Sequence, residues 1–143
     1  AQMAPPIEEF LNQGCDAVVL GPSNPYLSLN PILAISGMVE VLGRAARVIA
    51  VSPVVGNGVI KGPLAKIMGE QGLEPSALAW AELLEKMYPK LIDTFVFDEG
   101  DSGAAETLRA RGHHALCCNT VMTSVADSVA FAETLIAQVQ PGD

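Results

Sequence analysis

Ala17-Val-Val-Leu20 runs directly into Gly21-Pro-Ser-Asn-Pro25, and Val48-Ile-Ala-Val51 into Ser52-Pro-Val-Val-Gly-Asn-Gly-Val-Ile-Lys-Gly-Pro63. The grammar is the same twice: a short apolar run, a loop of turn-forming residues, then a stretch with helical spacing. Continuous apolar runs of this length are the mark of strands buried on both faces, as in parallel sheets. The loops that follow such strands gather at the C-terminal edge of the sheet, where open α/β folds bind ligands.

The rest of the chain keeps this alternation. A short helix is expected over 7–13, from Ile7, Phe10 and Leu11, before a strand ending at Leu20. Ile32, Ile35, Val39 and Leu42 predict one helix over 31–44, with Pro31 in its first turn. Pro63 opens a further helix that Gly72 closes, with Leu64, Ile67 and Met68 on it. The next runs from about Pro75 to Tyr88 with Leu78, Ala81, Leu84 and Met87 inward, and Pro89 stops it. Trp80 is expected in the core or at an interface. Thr94–Phe97 and Ala115–Cys118 read as strands, with a helix over 103–111 between them that Gly112 ends. The last helix, 123–139, places Val125, Val129, Ala132, Ile136 and Val139 on one stripe, with Ser124 and Asp127 at capping-box spacing. The expected fold is a single α/β domain over 1–143, three-layered and Rossmann-like, with a mostly parallel sheet.

Composition narrows the function. The 143 residues are 50% hydrophobic and 17% charged, with 8 basic and 16 acidic residues and a net charge of −8. A whole-domain nucleic-acid footprint needs a basic stripe, so no nucleic-acid partner is expected. No apolar run approaches the roughly 20 residues of a membrane span, and none of the features of a signal peptide opens the chain. With Cys15, Cys117 and Cys118 read as reduced thiols, a cytoplasmic location is expected. Position 1 is Ala rather than Met, which suggests processing or a fragment.

The two loops carry the candidate site. Ser23, Asn24 and Ser28 offer donors within a turn that Pro22 and Pro25 stiffen, although the same residues suit an Asx turn capping the next helix. Gly56, Asn57, Gly58 and Gly62 allow close backbone approach, and Lys61 beside them suits a diphosphate or the charge developing on a leaving phosphate. The alternative is a solvated lysine. This is no P-loop, since the Gly-x-x-x-x-Gly-Lys-Ser/Thr pattern is absent. Lys66 is expected on the surface. Asp98, Glu99 and Asp101 suit a hard cation, but capping of the next helix by Asp101 or Ser102 is preferred. His114 and Cys118 would lie roughly 13 Å apart along one strand, too far for a shared zinc whose ligands sit about 2.0–2.3 Å away.

These motifs resemble the C-terminal half of the 2-phospho-L-lactate transferase family of deazaflavin coenzyme F-420 biosynthesis. The resemblance rests on Val18-Val-Leu-Gly-Pro-Ser-Asn-Pro25, Ser28, Pro31-Ile-Leu33 and Val51-Ser-Pro53. It continues through Gly56, Lys61-Gly-Pro63, Lys66 and Gly72-Leu-Glu-Pro-Ser76. Beyond 76 it thins to Phe97-Asp98, Asp101 and a Thr-rich turn. Asn57 stands where the family usually carries a second glycine, with Gly58 next to it.

The resemblance implies transfer of a 2-phospholactyl or phosphoenolpyruvyl-type group from a guanosine diphosphate conjugate to the deazaflavin Fo, with GMP leaving and magnesium assisting. The family's glycine-rich front half and metal carboxylates have no counterpart in this sequence. The chain alone is therefore expected to be inactive, with a separate N-terminal segment as a possible partner. A homo-oligomer is also expected, and no catalytic residue is assigned. The alternative is a non-catalytic nucleotide- or sugar-nucleotide-binding regulatory module of the same fold. An α/β interaction domain with merely structural loops is the third reading.

Overall fold

A computed structural model describes residues 1–56, 59–60 and 62–139, the pair 59–60 by backbone alone. Four strands form one parallel sheet in the order β1 (Ala17–Leu20), β2 (Arg47–Val51), β5 (Thr94–Asp98), β6 (His114–Cys118). A separate antiparallel hairpin, β3 (Val54–Val55) with β4 (Val59–Ile60), rises from the loop after β2. The helices are α1 (Pro5–Asn12), α2 (Asn30–Leu33), α3 (Met38–Leu42), α4 (Leu64–Glu70), α5 (Ala77–Met87), α6 (Ser102–Ala110) and α7 (Val125–Ala137). The α/β, Rossmann-like expectation is borne out.

The strands form where the apolar runs are, and their alternating side chains feed two cores. Leu20, Val48, Ala50, Phe95 and Phe97 face a large core built with α2 to α6. Ile49, Val51 and Val96 face the other way, against Phe131 of α7. Trp80 belongs to the first core, edge-on to Phe95 and Phe97 at 6.1 and 6.3 Å. Such T-shaped pairs add to the burial of these large rings. Cys117 and Cys118 split between the two cores, as adjacent strand residues must.

Three expectations are corrected. The helix expected over 31–44 is two short ones: α2 stops at Leu33, and Gly37, at φ +81°, stands just ahead of α3; Leu33, Met38 and Leu42 are buried, while Ile32 is exposed. On α5 the buried face is rotated toward Ala77, Trp80, Ala81, Leu83 and Leu84, with Leu78 and Met87 half-buried. The indole at Trp80 draws that face to the centre of the core. Most consequentially, the apolar stripe of α7 does not face inward: Val125, Val129 and Ile136 are exposed, and Phe131 is the helix's one buried residue.

Candidate functional site

The loop after β1 is held by Asn24. Its Oδ1 accepts from the amides of Tyr26 (2.9 Å) and Leu27 (3.2 Å), and Pro25 follows as the first residue of a π-helical turn, Pro25–Leu29. The side chain is thus an N-cap, which accounts for the Asn-Pro pair in physical terms. The same geometry leaves Nδ2 buried, with no hydrogen-bond partner among the described residues. A buried amide donor without a partner costs about 1–3 kcal/mol, so one such group is worth noticing. Two tyrosines brace the turn: Tyr26 donates to Gln71 at the end of α4 (2.7 Å), and Tyr88 beyond α5 donates to Asn30 (2.6 Å). Burial pushes both phenols up from their ordinary pKa.

The loops after β1 and β2 share one cleft of about 360 Å³, with Ser23, Asn24 and Ser28 on one wall and Pro53, Pro63 and Leu64 on the other. Ser23 and Asn24 are half-buried and Ser28 is exposed. Gly62 is exposed and takes φ +81° at the entry to α4. Asn57, Gly58 and Lys61 lie outside the described residues. Lys66 sits on the surface beside Glu70 (3.8 Å), as expected.

Gly56 is placed differently from the rest of the set. Its amide donates to Asp101 Oδ2 (3.0 Å), and a Cβ on Gly100 would lie 2.6 Å from its Cα. Gly56 therefore meets the turn after β5. Asp101 stands at the start of α6 but makes no capping bond to it, so the capping expectation fails there: its carboxylate is spent on the hairpin instead. Burial pushes the Asp101 carboxyl up; the Gly56 amide opposes that and neighbouring Asp98 adds to it. Asp98 accepts from Gly100 N (3.1 Å) and from the amide and hydroxyl of Thr120 (3.4 and 3.2 Å), tying the ends of β5 and β6. Gly100 and Thr120 were not legible as a pair, since the sequence signal stops at a cluster of acids. A second cleft of about 640 Å³ opens here, between Ser76 and Ala77 at the start of α5 and Asp101 with Ala104 and Thr107 of α6.

These carboxylates are engaged by backbone donors, and the described residues bring no three His, Cys, Asp or Glu side chains into a metal-holding group. Burial also raises the pKa of Cys117 and Cys118, as expected of inert thiols rather than nucleophiles.

The comparison with known proteins decides the family. Residues 4–135 match the description 2-phospho-L-lactate transferase CofD. The chain belongs to that family. It is 41% identical over 121 residues to the 2-phospho-L-lactate transferase of Methanosarcina acetivorans, covering 85% of this chain and 38% of the relative. The Methanosarcina barkeri transferase is 38% identical over 136 residues (95% and 42%), and that of Haloarcula marismortui 43% over 102 (71% and 29%). The chain thus spans about two fifths of the length of the Methanosarcina relatives it matches. Among the described residues no helix is long and apolar enough to cross a membrane.

Proposed function

We propose that this chain forms part of a 2-phospho-L-lactate transferase-type enzyme and binds the guanosine diphosphate end of the donor in the cleft between the loops after β1 and β2. The observation that carries the reading is that shared cleft, at the C-terminal edge of a parallel sheet, in a chain of this family. Ser23 and Asn24 supply neutral donors. Asn24 suits the role because its oxygen is committed to the cap while its Nδ2 has no partner among the described residues. A small opening of the turn would expose that N–H to a phosphate oxygen. Lys61 supplies the countercharge, with Asn57, Gly58 and Gly62 giving backbone access and Ser28 at the rim.

In the proposed reaction the terminal hydroxyl of Fo attacks the phosphorus that carries the lactyl or enolpyruvyl group. The new O–P bond replaces the diphosphate bridge, GMP leaves with the bridging oxygen, and the hydroxyl proton is released. This chain's share is to hold the donor's diphosphate in place and shield the charge that develops on the departing GMP phosphate, the positioning and electrostatic parts of phosphoryl transfer. The acceptor site and any magnesium ligands belong to residues beyond the cleft described. A cytoplasmic setting fits these substrates.

Calorimetric titration with GDP tests the reading. Lys61→Ala should weaken binding about ten- to hundredfold, the worth of one charge-assisted hydrogen bond. Lys66→Ala, which alters a surface lysine paired with Glu70, should leave binding unchanged. Equal affinity of the Lys61→Ala variant and the wild type would return Lys61 to solvent.

A further inference from the structure

Tyr26 ties the turn after β1 to the opposite wall of the cleft. Its hydroxyl donates to Gln71 Oε1 at 2.7 Å. Gln71 closes α4, the helix whose first residue, Leu64, lines the wall facing Asn24. It is a fixed anchor, since its amide donates to the carbonyls of Ile67 and Met68 (3.2 and 3.0 Å) and Met68 is fully buried. Tyr26 is not among the described residues that line the cleft, and its ring packs against the main core. With its backbone Tyr26 grips Asn24: its amide donates to Asn24 Oδ1 at 2.9 Å.

The turn itself has two registers to choose from. The Asn24 carbonyl accepts from the Ser28 amide (3.0 Å) and from the Leu29 amide (3.1 Å), the α and the π spacing at once. Either bond can lapse without orphaning that carbonyl, so the near end of the turn can change register. The far end is pinned, because the Asn30 amide donates to the Pro25 carbonyl and Tyr88 donates to Asn30. Asn24 Nδ2 meanwhile is buried with no partner among the described residues, a state that a ligand offering an acceptor would relieve. Turning that group outward moves the side chain whose Oδ1 the Tyr26 amide holds, and Tyr26 cannot follow while its phenol stays on Gln71. We propose that the Tyr26–Gln71 bond is an autoinhibitory clasp, which keeps the Asn24 donor withdrawn until a diphosphate oxygen draws it out. It rests on the reading that this cleft holds a diphosphate. A clasp of this kind lowers apparent affinity by the fraction of chains in which it is open, and its strength is that of one neutral hydrogen bond.

Calorimetric titration with GDP and hydrogen exchange without nucleotide test it together. Tyr26→Phe keeps the ring and removes the donor. It should tighten GDP binding about three- to tenfold, whereas a purely structural bond would leave affinity unchanged or weaken it. Gln71→Met, at an exposed position, breaks the same bond from the other end and should tighten binding by the same factor. The double variant should gain no more than either single one, because both remove one interaction. Asn24→Ser keeps an N-cap oxygen but has no amide to release; on that background Tyr26→Phe should gain nothing. In the free chain, Tyr26→Phe should quicken exchange at the amides of position 26 and Leu27 about three- to tenfold. Exchange there equal to wild type overturns the clasp, whatever the nucleotide does. So does wild-type binding of GDP that both single variants leave unchanged or weaken, and that result leaves the nucleotide reading standing. No GDP binding by the wild type or by either variant defeats the nucleotide reading and the clasp with it.

Discussion

Trp80 on α5 and Phe131 on α7 occupy comparable places on opposite faces of one sheet, yet their surroundings differ. Trp80 is fully buried among Phe95, Phe97 and the residues of five helices. Phe131 is the sole buried residue of a thirteen-residue helix whose other large apolar side chains are half-buried or open to water. Both helices are apolar enough to seal a core, so the difference is one of partners and not of composition. One face holds a finished core. The other carries apolar surface that the described residues leave uncovered.

Substitutions that weigh the two faces should separate widely. Trp80→Ala should cost about 3–5 kcal/mol in urea unfolding, the usual toll for emptying a large aromatic site. Val125→Ser should stay within about 0.5 kcal/mol, as an exposed position does. If the two costs converge, α7 is packed in solution as fully as α5, and the contrast breaks. Gly100→Ala comes next in size. Its Cβ would meet the Gly56 backbone at 2.6 Å, and backbone cannot yield as a flexible side chain does, so a loss of about 1–3 kcal/mol is expected. A neutral result would separate the hairpin from the turn after β5.

The smallest effect concerns pH. Asp101 has a folded pKa above its unfolded value, chiefly through burial. Its stabilising contribution is therefore fully present below the unfolded pKa and is lost as pH rises through the folded one. Asp101→Asn keeps an acceptor for the Gly56 amide and removes the buried charge. Its stability relative to wild type should grow as pH rises through the carboxylate range, then level off. Asp127 has the opposite sign, held low mainly by the Thr123 and Ser124 hydroxyls, so its contribution fades as pH falls through its folded pKa. Thermal melts across acid pH check both. A relative stability of Asp101→Asn that does not change with pH would mean the carboxylate is well solvated.

Much of this architecture was legible in the chain. Every strand of the main sheet lies where an apolar run predicted it; β2 and β5, in the middle of the sheet, are buried on both faces and so apolar almost throughout, while the edge strands β1 and β6 are only partly buried. The helix ends at Gly72 and Gly112 were legible too, each glycine taking the positive φ that only this residue adopts easily. Other features were not. Gly37 falls inside the 31–44 helical pattern, and only its φ of +81°, just ahead of α3, shows that the pattern is interrupted there. The β3–β4 hairpin has two residues per strand, too few for any period to register. Periodicity identified the α7 stripe correctly but assumed that an apolar stripe faces the core of the same chain. At the site, the Asn24 turn was readable from Asn-Pro. The Asp101–Gly56 and Asp98–Thr120 contacts join residues 45 and 22 positions apart, and no local pattern announces them.

In the proposed function this chain supplies only part of a transferase's nucleotide crevice, and a transferase assay tests that most directly. Donor, Fo and magnesium are incubated with the purified 143-residue chain, and the phospholactyl or dehydro product is followed. No product above background is expected from the chain by itself. Turnover by the chain alone at about 1 per second or faster, a rate ordinary for enzymes, would mean that the crevice is already complete and would contradict the account.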